Sequence, residues 1–252
     1  MSIRGKKGKN VLKNQVIVFA GFAGVGKDTA FKVLEPALTG IPCYRLAFGD
    51  ALKQDLKACE EVLKKYVKGF DLNLPEFKEI FRDLWISWGT HVARKLCPDI
   101  WPIRLNPSIY ELKKRGWVFI TDARFANEVQ IMRREHKATV YYIERPGYGP
   151  ANPEENTSFA EMLEKYPELK SNQFRIINDG TIEDFRKKLV DKFCTDFGIQ
   201  LTTSLCGKCS LITGDKLTIC AVCNKSICRS CLTVDLKNHI YRCKTCKLEG
   251  AI

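Results

Sequence analysis

The stretch that most limits how this 252-residue chain can fold is Val16-Ile-Val-Phe-Ala20, followed at once by Gly21-Phe-Ala-Gly24-Val25-Gly26-Lys27-Asp28-Thr29. Five successive apolar residues, three of them β-branched, describe a strand buried on both faces, as in a parallel sheet. The segment behind it fits G-x-x-x-x-G-K, a loop that joins a strand to a helix and wraps an anion. Glycines let backbone N–H groups converge on phosphate oxygens. The helix that begins there adds the positive end of its dipole. Lys27 supplies a mobile cation for the outer phosphates of a triphosphate. One position departs from the generic pattern. Asp28 stands where a Ser or Thr hydroxyl usually meets magnesium, and Thr29 follows it. A carboxylate beside a triphosphate repels it. Asp28 therefore either reaches magnesium through water or is held aside, with Thr29 taking over phosphate contact.

Strand-like and helix-like runs alternate through the rest of the long central segment. Strands are expected at 43–48 (CYRLAF), 118–121 (VFIT), 139–144 and 174–178 (FRIIN), with helices at 50–68, 76–96 and 181–197. This alternation predicts a three-layer α/β/α domain with a five-stranded parallel sheet and right-handed crossovers.

Charge and cysteine mark the domain limits. The formal net charge is +12, yet residues 15–199 carry 28 basic against 26 acidic side chains. The excess sits in a basic tail, 1–14, and in a cysteine-rich end. Direct nucleic-acid binding is therefore not expected. No secretory signal or membrane-length apolar run is visible, so the expected compartment is the cytoplasm. Cys43, Cys59, Cys97 and Cys194 are scattered and read as small buried hydrophobes. His91 and His136 read as solvated helix residues. The other eight cysteines form four C-x-x-C pairs: Cys206/Cys209, Cys220/Cys223, Cys228/Cys231 and Cys243/Cys246. Eight thiolates make two tetrahedral zinc sites. The four-residue gap between the middle pairs suits a cross-braced arrangement, pairs one and three on one zinc, two and four on the other. The expected domains are the tail at 1–14, a nucleotide-binding domain at 15–199 and a small two-zinc finger at 204–247.

Several ordered segments of the central domain resemble the deoxynucleoside monophosphate kinases of large DNA viruses and phages. They are G-K-D-T at 26–29, Phe48-Gly-Asp50-Ala-Leu52-Lys53, the helix carrying Arg82, Trp88, Gly89, Thr90 and Arg94, and Asp99-Ile-Trp101. Thr121-Asp122-Ala-Arg124-Phe125-Ala-Asn127-Glu128, Ile143-Glu-Arg145-Pro146-Gly147 and Ile177-Asn178-Asp179-Gly180-Thr181 complete the series. A histidine common in that family is missing near Asn156-Thr-Ser158-Phe-Ala-Glu161. The resemblance implies transfer of the γ-phosphate of ATP, with magnesium, to a deoxynucleoside monophosphate, in host cytoplasm if the chain is viral.

Such transfer needs two anions placed in line and neutralisation of the moving charge. Gly21, Gly24, Val25, Gly26, Lys27, Asp28 and Thr29 are the candidates for the donor, with Arg145 in a turn-rich stretch that reads as a lid or as a plain loop. Arg82, Arg94 and Arg124 are candidates for acceptor phosphate and transferring group, because a guanidinium fork matches phosphate. Asp122 is expected to orient magnesium water, and Asp50 magnesium or the acceptor sugar. Trp88, Thr90 and Trp101 are candidates for base or sugar, the tryptophans equally for core. The cysteine-rich segment at 204–247 resembles FYVE/PHD-like fingers without their basic patch. Phosphoinositide membrane binding is thus not carried over, and a protein-interaction or stability role is preferred. Dimerisation stays open. So do two other readings: a kinase of another small phosphorylated acceptor, and an inactive kinase fold serving as a zinc-finger adaptor.

Overall fold

The computed structural model describes residues 14–38, 41–72 and 74–199, and beyond them only the backbone of short strands. The chain divides into two compact units. One runs to Asp28 and takes in Cys43–Asp179; the other comprises Thr29–Pro42 and the residues from Gly180 on.

In the first unit the apolar runs become five strands: β1 Val16–Ala20, β2 Cys43–Leu46, β3 Trp117–Ala123, β4 Thr139–Glu144 and β5 Arg175–Ile177. They form one sheet in the order β2-β3-β1-β4-β5, and every pairing is parallel. The fold is thus α/β with a five-stranded parallel sheet. β1 lies centrally and every residue in it is buried. From β1 the chain steps out to β2, returns to β3, then crosses to β4 on the other side. The strand order thus reverses at β1, and open α/β sheets take ligands at the carboxyl ends of the strands beside such a reversal.

Alternation along the strands builds two different faces. Val16, Val18 and Ala20 join Val118, Ile120, Val140 and Tyr142 in one cluster with Trp101, Leu105 and Ile109, and with Met132 and Phe159. The opposite face is aromatic. Phe19 has its ring centroid 6.0 Å from Phe119 and 6.4 Å from Tyr141, and Trp117 lies 6.4 Å from Phe119. Both faces are buried.

The helices are α1 Lys27–Leu34, α2 Phe48–Asp55, α3 Lys57–Tyr66, α4 Pro75–Ile86, α5 Arg94–Leu96, α6 Ile100–Lys113, α7 Ala126–His136, α8 Pro153–Lys165 and α9 Ile182–Phe197. Among the described residues no helix is long and apolar enough to cross a membrane.

Several expectations need correction. The second strand ends at Leu46, and Phe48 opens a helix rather than closing a strand. The helix expected at 50–68 breaks at Leu56 into α2 and α3. The one expected at 76–96 carries a π-helical turn, Ser87–Ala93, between α4 and α5. Gly89 lies inside that wider turn, where a Cβ would sit only 3.0 Å from Leu52 Cδ2 of α2. Its lack of a side chain lets the turn close against α2. His136 is buried, not solvated: its Nε2 is 2.8 Å from Asn106 Oδ1 and its ring packs on Tyr110. Burial, then the charge of Lys113, holds its pKa below the ordinary imidazole value. Cys59 is exposed, and Cys43, Cys97 and Cys194 are only half-buried.

In the cysteine-rich end the backbone forms three antiparallel pairs: β6 Ser204–Leu205 with β7 Ile212–Thr213, β8 Thr218–Ile219 with β9 Ser226–Ile227, and β10 Leu232–Asp235 with β11 Ile240–Cys243. The proposed zinc ligands Cys206, Cys209, Cys220, Cys223, Cys228, Cys231 and Cys246, and the side chain of Cys243, lie outside the described residues, as does the tail through residue 13.

Candidate active site

The glycine loop sits at the carboxyl end of β1, and its conformation depends on its glycines. Gly21, Gly24 and Gly26 have φ of +145°, +78° and +105°. A Cβ on Gly21 would lie 2.4 Å from the Ile143 carbonyl oxygen, so the loop starts flush against β4. Gly21 also donates its N–H to Ala123 O of β3, 3.2 Å away. From the end of β5, Asn178 donates its side-chain amide to the Val25 carbonyl at 2.9 Å. The loop is thus tied to the ends of three strands.

Lys27 is 6% exposed. Its ammonium donates to the carbonyls of Gly21 and Phe22, each at 2.6 Å. Burial, then the nearby Arg124 guanidinium, lowers its pKa to about 8, against opposing pulls from Asp122, Glu155 and Asp28. The cation is held inside the loop by the loop's own carbonyls, close to where converging amides would meet an anion.

Asp28 is held aside, one of the two alternatives its position left open. Its Oδ1 accepts from Arg45 Nε at 2.8 Å and from the Thr121 hydroxyl at 2.7 Å. Burial pushes its pKa up, but these hydrogen bonds, with the charges of Arg45 and Lys27, hold it below the ordinary carboxylate value. Arg45 also donates through a second nitrogen to Asp50 Oδ2 at 2.8 Å. Asp28 and Asp50 therefore share one guanidinium. Thr29 is half-buried on α1, one residue past Asp28.

Asp122, the residue expected to orient magnesium water, caps a helix in the structure. Its Oδ1 accepts the Phe48 N–H and its Oδ2 the Gly49 N–H, both at 2.8 Å. It caps the start of α2 with both oxygens, satisfying N–H groups that a helix leaves unpaired. This explains why a helix begins where β2 was expected to continue. Burial, then the charge of Glu128, pushes its pKa up to about 6, and the two amides offset part of that rise.

Two glutamates at helix starts hold the arginines. Glu128 of α7 accepts the N–H groups of Arg124 and Phe125 through Oε2, and its Oε1 takes the Arg94 guanidinium at 2.5 Å. Arg94 also stacks on the Phe125 ring, 4.0 Å from its centroid. Glu155 of α8 accepts the Ala151 N–H through Oε2, while Asn152 Oδ1 accepts the Glu155 N–H. Its Oε1 lies 3.5 Å from Arg124 Nε. In each case one oxygen serves the helix start and the other faces an arginine, Glu128 through a hydrogen bond and Glu155 through an ion pair alone. Arg124 itself is 40% exposed, able to face a ligand.

The turn after β4 lies over the loop. Tyr148 N–H donates to the Arg145 carbonyl, with Gly147 at φ +80° between them. The Arg145 guanidinium stacks 4.5 Å from the Tyr148 ring centroid. A Cβ on Gly24 would meet Tyr148 Cε1 at 2.8 Å.

The structure thus gathers Lys27, Asp28, Asp50, Asp122, Arg94, Arg124 and Arg145 around the loop and the strand ends beside it. Arg82 is not brought there; it pairs with Glu79 on its own helix at 3.0 Å, a solvated pair. Trp101 belongs to the core instead of a ligand face. It is 2% exposed and its indole N–H donates to the Gly89 carbonyl at 3.2 Å. Trp88 is 36% exposed and donates to Asp55 Oδ2 at 3.3 Å; Thr90, in the same π-turn, is half-buried. Sequence reasoning missed Arg45, Glu155 and Tyr148 and gave no role to Glu128 or Asn178. Glu155 was findable, since Asn152-Pro-Glu-Glu155 is a capping box in outline. Arg45 was findable as the one charge within an apolar strand.

No family model matches the chain, and no curated protein matches it. Among solved structures, the dephospho-CoA kinase from Campylobacter jejuni aligns over 73% of this chain and 97% of its own at 14% identity, with a TM-score of 0.40. TT1252 from Thermus thermophilus covers the same shares at 14% identity and a TM-score of 0.42. The shikimate kinase from Acinetobacter baumannii aligns over 73% of this chain and 96% of its own, at 14% identity and a TM-score of 0.36.

Proposed function

We propose that the chain is a kinase that passes the γ-phosphate of ATP to a deoxynucleoside monophosphate. The observation that carries this reading is Lys27, buried inside a glycine loop that opens a helix, with Arg124 close enough to depress its pKa. An ammonium and a guanidinium kept that near each other are stabilised by a shared anion.

In this reading the loop amides and Lys27 grip the triphosphate. Arg124, oriented by Glu155, and Arg94, oriented by Glu128, bear on the transferring group and the acceptor phosphate. The turn at Arg145–Tyr148 covers the loop and restricts water. Magnesium in nucleotide sites is held mostly by phosphate and water, with one or two carboxylates. Asp50 is a hard oxygen donor at the start of α2, near the loop, and it fits that outer role. When bound, the ion would draw charge from the phosphate oxygens.

The acceptor class rests on the family resemblance and on Trp88, whose part-exposed indole lies on the π-turn. The test is a coupled ADP-release assay over nucleoside monophosphates, deoxynucleoside monophosphates and other phosphorylated acceptors. Turnover confined to another acceptor class would overturn the acceptor assignment. Equal turnover by Lys27→Ala would overturn the loop's role, and absence of turnover by the wild type on every acceptor would leave the inactive adaptor.

A further inference from the structure

The carboxylate after the loop lysine is an electrostatic problem for a triphosphate site. It puts a negative charge one residue from Lys27, on the first turn of the helix that should welcome an anion. The structure shows how that charge is handled. Arg45 Nε and the Thr121 hydroxyl both hold Asp28 Oδ1, at 2.8 and 2.7 Å. Thr121 is fully buried at the end of β3, and Arg45 projects from the neighbouring strand β2. The strands are paired with Arg45 opposite Phe119 and Leu46 opposite Ile120. The two donors therefore stand on rigid, adjacent supports, and neither depends on a loop. The other arm of the guanidinium holds Asp50 Oδ2, at the start of α2.

Resting on the reading of the loop as a triphosphate site, we propose that Arg45 is a positioning residue for the nucleotide. It neutralises Asp28 and draws its carboxylate toward the sheet, so that the loop presents Lys27 and the helix terminus without a competing negative charge. Arg45 touches neither nucleotide nor acceptor in this role; it acts through Asp28. A loop with Ser or Thr after the lysine has no such need, so Asp28 and Arg45 are a coupled pair.

The coupling is what the experiment reads. ATP is titrated calorimetrically into the full-length wild type, Arg45→Met, Asp28→Ser, the double variant and Arg45→Lys, with thermal melts on each. Arg45→Met should weaken ATP binding by about tenfold, as expected for a broken, part-exposed charge pair. Asp28→Ser alone should bind within about threefold of wild type, and the double variant should recover to the same level. Arg45→Lys keeps the charge but not the fork, and should fall between wild type and Arg45→Met. If Arg45→Met melts before titration, the comparison of Asp28→Ser in the Arg45→Lys background carries the same test. Wild-type affinity in Arg45→Met, or no recovery in the double variant, overturns the proposal while the loop reading stands. Absence of ATP binding by wild type would instead overturn the loop reading, and this inference with it.

Discussion

Asn178 donates its side-chain amide to the Val25 carbonyl, 2.9 Å away, across 153 residues of sequence. The end of β5 thereby fixes the backbone of the glycine loop. Asn178→Ala leaves that carbonyl without this donor beside a buried Val25. We expect a loss of about 1 kcal/mol in stability, typical of one hydrogen bond. ATP affinity should fall further than that loss explains, because the loop must be ordered to bind. Chemical denaturation and ATP titration on the same sample check both.

Lys27→Ala should lower turnover by orders of magnitude while the melting temperature stays near or above that of wild type, since burial of this ammonium is unfavourable. Its pKa near 8 also sets a pH dependence. In the ligand-free protein the lysine is neutral between about 8 and its ordinary 10.5, whereas the unfolded chain keeps it charged. The unfolded state then binds more protons, so this group's contribution to stability rises with pH across that window. Nucleotide binding runs the other way and should weaken as pH climbs through about 8. Calorimetric titration in steps from pH 7 to 9.5 reads it, with Lys27→Arg removing the dependence.

Gly24→Ala should abolish nucleotide binding. The residue has φ of +78° and a Cβ there would meet the Tyr148 ring at 2.8 Å. Tyr148→Ala relieves the contact but not the backbone strain, so the double variant should regain only part of the affinity. Full recovery would mean that the ring contact alone matters.

Asp122→Ala removes the cap of α2. The expected cost is about 1 kcal/mol, typical of a lost N-cap, and a few degrees in melting temperature. Asp122→Asn retains one acceptor and should recover part of it. Because the carboxyl titrates near 6 when folded, above its ordinary 3.8, the folded state binds more protons between those values. The charge cost of Asp122 therefore grows as pH rises from about 4 to 6, and Asp122→Asn should lose that pH slope.

Metal analysis of the full chain should find about two zinc ions, one per four thiolates. Deleting residues 204–252 should leave most kinase turnover intact. A folded but inactive truncation would show that the cysteine-rich segment and the rest of the chain are functionally coupled.

The run Val16–Ala20 and the spacing Gly21…Gly26-Lys27 were by themselves enough to determine a buried parallel strand, a glycine-dependent loop and the helix after it. These are local consequences of β-branched side chains, permissive glycines and a helix terminus. Sequence also marked Arg94, Arg124 and Asp122 as candidates, and folding brings them to the strand ends beside the loop. It could not say what they do, because the partners of their side chains are 31 or more residues away in the chain. Asp122 spends both oxygens on α2, Glu128 hydrogen-bonds Arg94 and Glu155 forms an ion pair with Arg124; only folding brings these groups together. The same holds for Trp101, whose apolar ring reads alike for base or core until α6 packs on the sheet. Likewise, Asp28 could be read as a magnesium carboxylate or as one held aside until β2 placed Arg45 beside it. Strand pairing is a long-range choice, and charge compensation across it is decided by tertiary structure alone.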